Sequence, residues 1–561
     1  MVKAAANPLQ AGVVETGFVL LLFPVALLIV RYAHRIPLRS LKPGWLLATP
    51  TRRTMLVIAI ALLGRALLFP VLGIPSPIVT DEHAYLLTAD TFAHLRLTNA
   101  TPPGWEHFEA FHVNLQPTYH GTYPVGQGLV LAAGQVLFGQ PWFGVYLSTA
   151  LLCGALCWAL QAFVPMGWDV LGGTLAVVQL ALVSYWMNSY WGGSVAAIGG
   201  AVAMGSVTRV FGEGISNHRR FILSLGFAIG LVVLGNSRPF EGLAFSIPLL
   251  VFFVVRFVKY QDSRTVVVLW VLAPLLVAGF MGLAAMAYYD IATTGKPFLM
   301  PYVLHMHTYA PNPAFIGQRF GEWPPYRNAA IESLWREIIK RYGYADINSA
   351  SAVFNKEMSK ALTYWWFYVG PALSFPVLLG FIYCLTQERL RVVAYSTLAT
   401  CCAVAVTIDT EPHYFSVATV AIYILAVEGL RYLWLQHDVY SRAAVIAFAV
   451  AAVLATASGN SGASRLKMDL LEHRRAKAEA MRRLAVEPGK HLVLISYAPE
   501  HDPGRELVYN GADIADERII WARSLGAGSD KELCLDYPSR IFWNLTTDDK
   551  KTTLQVINIC R

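Results

Sequence analysis

The sequence predicts an α-helical polytopic membrane protein of about twelve transmembrane helices, with a small soluble α/β domain at its C-terminus. Three observations carry that prediction. Of 561 residues, 55% are hydrophobic and only 14% charged, where a soluble chain carries roughly 25%. The mean hydropathy is +0.47. Apolar runs close to the ~20 residues that cross a bilayer recur as far as residue 457, and the polar stretch 459–561 follows them.

The first run, Val13 to Val30, has no weighty basic segment ahead of it and no small-residue cleavage site, so it reads as a span rather than a leader. Arg31, Arg35, Arg39, Lys42, Arg52 and Arg53 follow it and place that loop in the cytoplasm. Further spans are expected at 54–74, 142–164, 170–187, 193–211, 221–237, 240–256, 265–289, 362–384, 392–408, 414–435 and 443–457. Val125 to Phe138 is short for a span and holds Gly126, Gln127, Gly128 and Gln135, so it is expected to be interfacial or re-entrant. With that assignment the later basic loops, at Arg219/Arg220, Arg256/Lys259/Arg264, Arg389/Arg391 and Arg431/Arg442, all fall inside. The net charge of +8 therefore reflects membrane topology and does not imply a nucleic-acid partner.

The same parity gathers the loops 75–141 and 291–360 and the turns 184–194 and 236–241 on one non-cytoplasmic face. Residues 1–458 form the membrane module, and 459–561 a small domain on that same face. The basic stretch Arg465 to Arg483 runs against this placement. In the small domain, His491–Tyr497 and Arg518–Ala522 read as strands. Cys534 and Cys560 there form a disulfide in an oxidising compartment or stay as two free thiols. In the second long loop a surface helix is expected over Ala329–Tyr342.

Asp81-Glu82-His83, just beyond the second span, is the most informative tripeptide. Acidic groups at a membrane face are costly unless they serve a polar site. Asp81 and Glu82 would supply a general base for a hydroxyl nucleophile, or ligands for a divalent metal such as Mg or Mn; the plain alternative is that Asp81 starts a helix Glu82–Leu95. Histidines are dense on this face: His83, His94, His107, His112, His120, His305, His307 and His413. His305-x-His307 is a weak metal candidate, because no third ligand has diagnostic spacing. Arg238, in Asn236-Ser-Arg238-Pro-Phe-Glu241, breaks a long apolar run and suits a phosphate; it would equally pair with Glu241 or snorkel to headgroups. Trp186, Asn188, Tyr190 and Trp191 make either a sugar-stacking surface or an ordinary aromatic belt.

Taken together these motifs resemble the type C (GT-C) integral-membrane glycosyltransferases, the superfamily of protein mannosyltransferases and the lipid A aminoarabinose transferase. The resemblance spans about residues 55–435 and rests on Thr80-Asp81-Glu82-His83-Ala-Tyr85, Tyr123-Pro124 through Phe138-Gly139, the aromatic turn, Arg238, and His413-Tyr414 at the start of a late span. Two departures stand out: Thr122-Tyr123 occupies the place of a lysine found in the aminoarabinose branch, and a double proline is reduced to Pro124. The resemblance implies sugar transfer from a polyprenyl-phosphate donor to an acceptor hydroxyl at the periplasmic face of a bacterial inner membrane, with or without a metal. Asp81 would be the base, with Glu82 or His83 orienting it. Arg238, His413 and Tyr414 would hold the donor phosphate, and Tyr85, His120, Tyr123 and Glu241 would line the substrates. A transporter is the rival class, but no half-repeat is visible; a non-catalytic polyprenyl-lipid or glycan binder is the third.

Overall fold

Helices follow the apolar runs closely. The computed structural model describes residues 8–32, 44, 46–260, 264–327, 329–341, 349–408, 411–459, 475–498, 501, 506–547 and 552–560. Arg35, Arg39, Lys42, Tyr342 and the stretch 465–474 lie outside the described residues. Among those described, eight helices are long and apolar enough to cross a membrane: Val13–Tyr32, Pro50–Leu72, Trp142–Leu160, Asn217–Gly235, Pro239–Lys259, Thr265–Thr294, Pro412–Trp434 and Val439–Ala457. A ninth candidate is a bent pair, Ala350–Tyr368 and Gly370–Thr386, whose halves meet at 93°. Gly370 makes that corner at φ +61°, a conformation open to glycine without steric cost.

The expected count of about twelve is not confirmed. Each expected span meets a helix, but those at 170–187, 193–211 and 392–408 are Trp168–Leu182, Ser194–Val207 and Arg391–Val406, in the 10–17 residue class. Their apolarity has another source. Ala197, Ala201, Ala203 and Met204 of Ser194–Val207 are fully buried in the bundle, and hydropathy does not distinguish a protein interior from lipid. Peripheral helices differ: Thr265–Thr294 is only 17% buried, whereas the central Pro412–Trp434 is 94% buried.

Val125–Phe138 is a 14-residue helix, as expected of an interfacial element. It exposes Leu129, Val136, Leu137 and Phe138 and packs its other side on Thr80–Ala93 and Trp142–Leu160. Its first turn meets the loop before Pro239–Lys259, where Gly126 N–H donates to the Asn236 carbonyl at 2.8 Å. A Cβ on Gly126 would lie 2.5 Å from Ser237 Oγ, so only glycine permits the approach.

The C-terminal domain is a four-stranded sheet in the order β4-β3-β5-β6, comprising β3 (Lys490–Tyr497), β4 (Ile519–Arg523), β5 (Arg540–Thr547) and β6 (Thr552–Val556). The two strands read from the sequence pair in parallel, His491 opposite Ile519. Cys534 and Cys560 form a disulfide. The domain shares one hydrophobic core with the first long loop: Leu87, Phe108, Val113, Leu115 and Tyr119 pack with Leu492, Tyr509, Ile520, Leu533 and Phe542. Polar ties reinforce the contact. Arg96 makes a two-pronged pair with Asp513 at 2.8 and 2.7 Å, and Ala512 N–H donates to Asp90 at 2.7 Å.

Beneath this junction Arg523 and Glu506 form a buried ion pair that also engages Tyr497. Arg523 also offers its carbonyl to His107 of the first loop at 2.8 Å. Arg523→Met would strand the Glu506 charge and should cost about 3–5 kcal/mol. Thermal melts of the purified protein check this, and adding Glu506→Gln should recover part of the loss. A single variant as stable as the parent would contradict the account.

Candidate active site

The helix Thr80–Ala93 begins with a division of labour between two neighbouring acids. Glu82 turns inward and is 2% exposed. Its carboxylate accepts the N–H groups of Ile78 at 2.6 Å and Val79 at 3.0 Å, the open donors of the helix start. Its other oxygen accepts Tyr190 N–H at 2.9 Å and so ties the helix to the aromatic turn. Since Glu82 caps the helix, Asp81 is left to face outward. Tyr123 O–H donates to Asp81 Oδ1, and His112 Nε2 lies 3.8 Å from Oδ2.

Tyr85, one turn along, stacks on Tyr123 with ring centroids 4.8 Å apart. Burial pushes the Tyr85 phenol up to about 12, against the pull of the Arg238 charge and with the push of Asp81. Asp81 and Arg238 thus act on the same ring. The guanidinium of Arg238 lies over Tyr414 at 4.3 Å, a cation–π contact. His413 is held by Tyr185, Nδ1 to hydroxyl 3.2 Å, and by the edge of Trp191 at 4.7 Å. Asp81, Tyr123 and Tyr85 are thus in mutual contact, as are Arg238, Tyr414 and His413, and the Arg238 charge also acts on Tyr85.

The other expected residues sit elsewhere. His83 stacks flat on Tyr509 of the C-terminal domain, with centroids 4.1 Å apart. Glu241 is buried in the first turn of Pro239–Lys259. A sugar-stacking surface made of all four turn residues does not form. Trp186 is wholly buried against Phe367 and Tyr368. Asn188 accepts from Arg65 at 3.3 Å, and Tyr190 donates to the Pro75 carbonyl at 2.9 Å. Trp191 alone of the four is partly open.

His120 is also interior. Its ring bonds to the Gly121 carbonyl at 3.0 Å, and burial depresses its pKa to about 4. Gly121 lets β2 (His120–Gly121) lie on the site helix, since a Cβ there would sit 2.3 Å from the Ala84 carbonyl oxygen. The metal pair is not assembled. His305 is buried and bonded to Asn114 at 3.0 Å, while His307, two residues along the helix Pro301–Tyr309, is exposed. Among the described residues no group of three or more His, Cys, Asp or Glu is arranged to hold a metal ion.

Two residues of this region escaped the sequence reading. Arg65 is fully buried in Pro50–Leu72, with Trp142 stacked 4.9 Å away and the Gly73 carbonyl 3.0 Å from Nη2; a lone arginine in an apolar run was signal enough. Tyr509 carried no signal, because only the folded domain brings it to His83.

Burial raises the Glu82 carboxyl to about 7, partly opposed by its three backbone donors. The folded protein then keeps this proton up to about pH 7, while an unfolded chain loses it near ~4.3. Stability from this group is full below pH 4 and is lost as pH rises through about 7. Glu82→Gln should flatten that slope between roughly pH 4 and 7, and should cost about 1–3 kcal/mol by turning an amide N–H₂ toward backbone donors. Melting temperatures of both proteins across this range test the idea; parallel curves would contradict it.

No family model matches the sequence, and no curated protein does so. Solved structures do match. ArnT from Cupriavidus metallidurans in the apo state superposes with a TM-score of 0.51 at 12% identity, over 88% of this chain and 93% of that one. The same enzyme bound to undecaprenyl phosphate gives 0.48 at 13% identity over the same shares, 88% and 93%. The Archaeoglobus fulgidus oligosaccharyltransferase in complex with Zn and sulfate gives 0.46 at 11%, over 79% and 60%. The apo ArnT match alone carries the architecture. This chain shares the fold of ArnT.

Proposed function

We propose that the protein is a glycosyltransferase that moves a sugar from a polyprenyl-phosphate donor to an acceptor hydroxyl on the non-cytoplasmic face of the membrane. The observation that carries this reading is the stacked Tyr85–Tyr123 pair, which has the Asp81 carboxylate bonded to one ring and the Arg238 charge acting on the other. A carboxylate base and a cation suited to an anion, both acting on one pair of aromatic rings, suit a displacement at an anomeric carbon. Asp81 takes the acceptor proton as the acceptor oxygen attacks. The bond from the anomeric carbon to phosphate breaks, and its electron pair goes to the phosphate oxygen.

Arg238 then stabilises the charge that grows on the leaving phosphate, and Tyr414 fixes the guanidinium plane. His413 stands on the same side, while Glu82 positions Asp81 from below. His83, Tyr85 and Trp191 are the groups left to meet the sugar or the acceptor. The fold likeness to ArnT supports a lipid-carried donor, since that enzyme has been crystallised with undecaprenyl phosphate. The Cys534–Cys560 disulfide supports an oxidising, periplasm-like compartment for the face that carries the site.

Release of free polyprenyl phosphate tests the reading. Purified protein in vesicles would receive lipid-linked sugars extracted from membranes of the producing cells, with release followed by mass spectrometry. Asp81→Asn should lower release at least ~100-fold with carrier binding nearly intact. Arg238→Ala should weaken binding of undecaprenyl phosphate about tenfold or more, the scale of a charge-assisted hydrogen bond. Full activity in Asp81→Asn would remove the base, and unchanged binding in Arg238→Ala would remove the phosphate site.

A further inference from the structure

His112 is built unlike the other histidines of this face. It occupies the left-handed region at φ +59°, which few non-glycine residues adopt, histidine, asparagine and aspartate more often than most. The neighbouring backbone keeps it there: Thr122 N–H donates to the His112 carbonyl at 3.0 Å, and the next residue opens the ribbon of β1 (Val113–Asn114) with β2. A non-glycine residue held in that region at a polar site is a recognised mark of function. Its side chain and that of Asp81 are each about a quarter exposed, 25% and 24%.

The two ring nitrogens differ in their surroundings. Nε2 faces Asp81 Oδ2 at 3.8 Å, a distance of charge pairing rather than of a formed hydrogen bond. Nδ1 is buried and has no hydrogen-bond partner. Every group facing this ring is identifiable. Asp81 comes from the site helix, Tyr123 lies 5.1 Å away after β2, and His305 lies 6.0 Å away on Pro301–Tyr309. Adjacent Phe111 is wedged under Trp335 of the helix Ala329–Arg341 at 4.7 Å. From the C-terminal domain, the Tyr509 hydroxyl reaches the Phe111 carbonyl at 3.5 Å.

His305 cannot share the charge. Burial, then the nearness of His112 and His120, holds its pKa well below the usual histidine range. His112 is thus the histidine next to Asp81 that has an opening to solvent.

We propose that His112 is the second proton-handling residue of the site, a positioning residue that holds Asp81 and relays the acceptor proton from it. The inference rests on the glycosyl-transfer reading above. The acceptor O–H proton passes to Asp81 as the new bond to the anomeric carbon forms, and the phosphate leaves with the electron pair of the broken bond. Once the 3.8 Å gap tightens to a hydrogen bond in the substrate complex, the proton moves from Asp81 to His112 Nε2, which restores the carboxylate and makes an imidazolium. His112 finally gives the proton to water at its exposed edge. Each turn returns Asp81 and His112 to the protonation states in which they began, and no other reactant is needed.

Two substitutions separate this role from a purely structural one. His112→Gly relieves the left-handed backbone and opens a ring-sized space; His112→Asn keeps a residue suited to the same conformation but removes Nε2. In the carrier-release assay both variants should lose at least tenfold in turnover, with little change in the donor KM and with melting temperatures no lower than the parent's. Added imidazole should restore His112→Gly at least about threefold and leave Asp81→Asn inactive.

Parental turnover in either variant, or a His112→Gly loss that imidazole does not restore, would overturn the relay. Lower melting temperatures with proportionate loss of activity would assign His112 to the loop's structure and overturn it too. Release by Asp81→Asn at the parental rate, or none by the parent, would instead bring down the glycosyl-transfer reading and this inference with it.

Discussion

The buried carboxylate of Glu82 is the contact on which the site depends. Three backbone N–H groups converge on it, two from the start of its own helix and one from Tyr190 of the aromatic turn. A buried ionisable group is costly unless its hydrogen-bonding capacity is met, and here it is met by groups that would otherwise be stranded at a helix start. The consequence for chemistry is indirect. Because Glu82 performs the capping, Asp81 points away from the helix axis toward Tyr123 and His112. Adjacent acids in unlike environments can take unlike roles: the interior one fixes geometry, and the partly exposed one is open to a substrate.

The C-terminal domain extends this logic across the chain. Its sheet is not a separate appendage hung on a linker, because its core is continuous with that of the first long loop. Arg96, Asp90 and His107 each bond into it, and Tyr509 lies against His83. The helix that carries Asp81 is therefore fixed at its start by Glu82 and along its far half by a domain more than four hundred residues later. The second long loop adds a third constraint, for Trp335 and Tyr309 pack around Phe111 and His305.

Local signals explain what was legible. Asp81, Arg238 and His413-Tyr414 each interrupt apolar sequence at a membrane face, and such interruptions are visible without a fold. The interfacial helix Val125–Phe138 was readable for the same reason, from its length and its glycines and glutamines. The strands at 490–497 and 519–523 stood out as apolar runs bounded by turn residues. What could not be read was which polar groups turn inward. Glu82 and Asp81 are neighbours of the same chemical type, and the folded positions of Ile78, Val79 and Tyr190 hold Glu82 inward. Trp186 and Trp191 likewise share a turn, yet one is core and the other partly open. His112 was one histidine among eight until the ribbon fold placed it against Asp81.

The expected span count is not confirmed for a related reason, and that reason bears on the site. Apolar sequence records removal from water, whether into lipid or into protein. Trp168–Leu182 and Ser194–Val207 have no exposed apolar side chain because other helices surround them, whereas Arg391–Val406 still exposes Tyr395, Leu398 and Val406. Short helices in the middle of a bundle leave their ends at intermediate depth, where turns can carry polar side chains without facing lipid. The turn after Trp168–Leu182 supplies Tyr185 and Trp191, and both pack on His413 beside Arg238. The shortness of Trp168–Leu182 thus leaves room for the turn that holds His413.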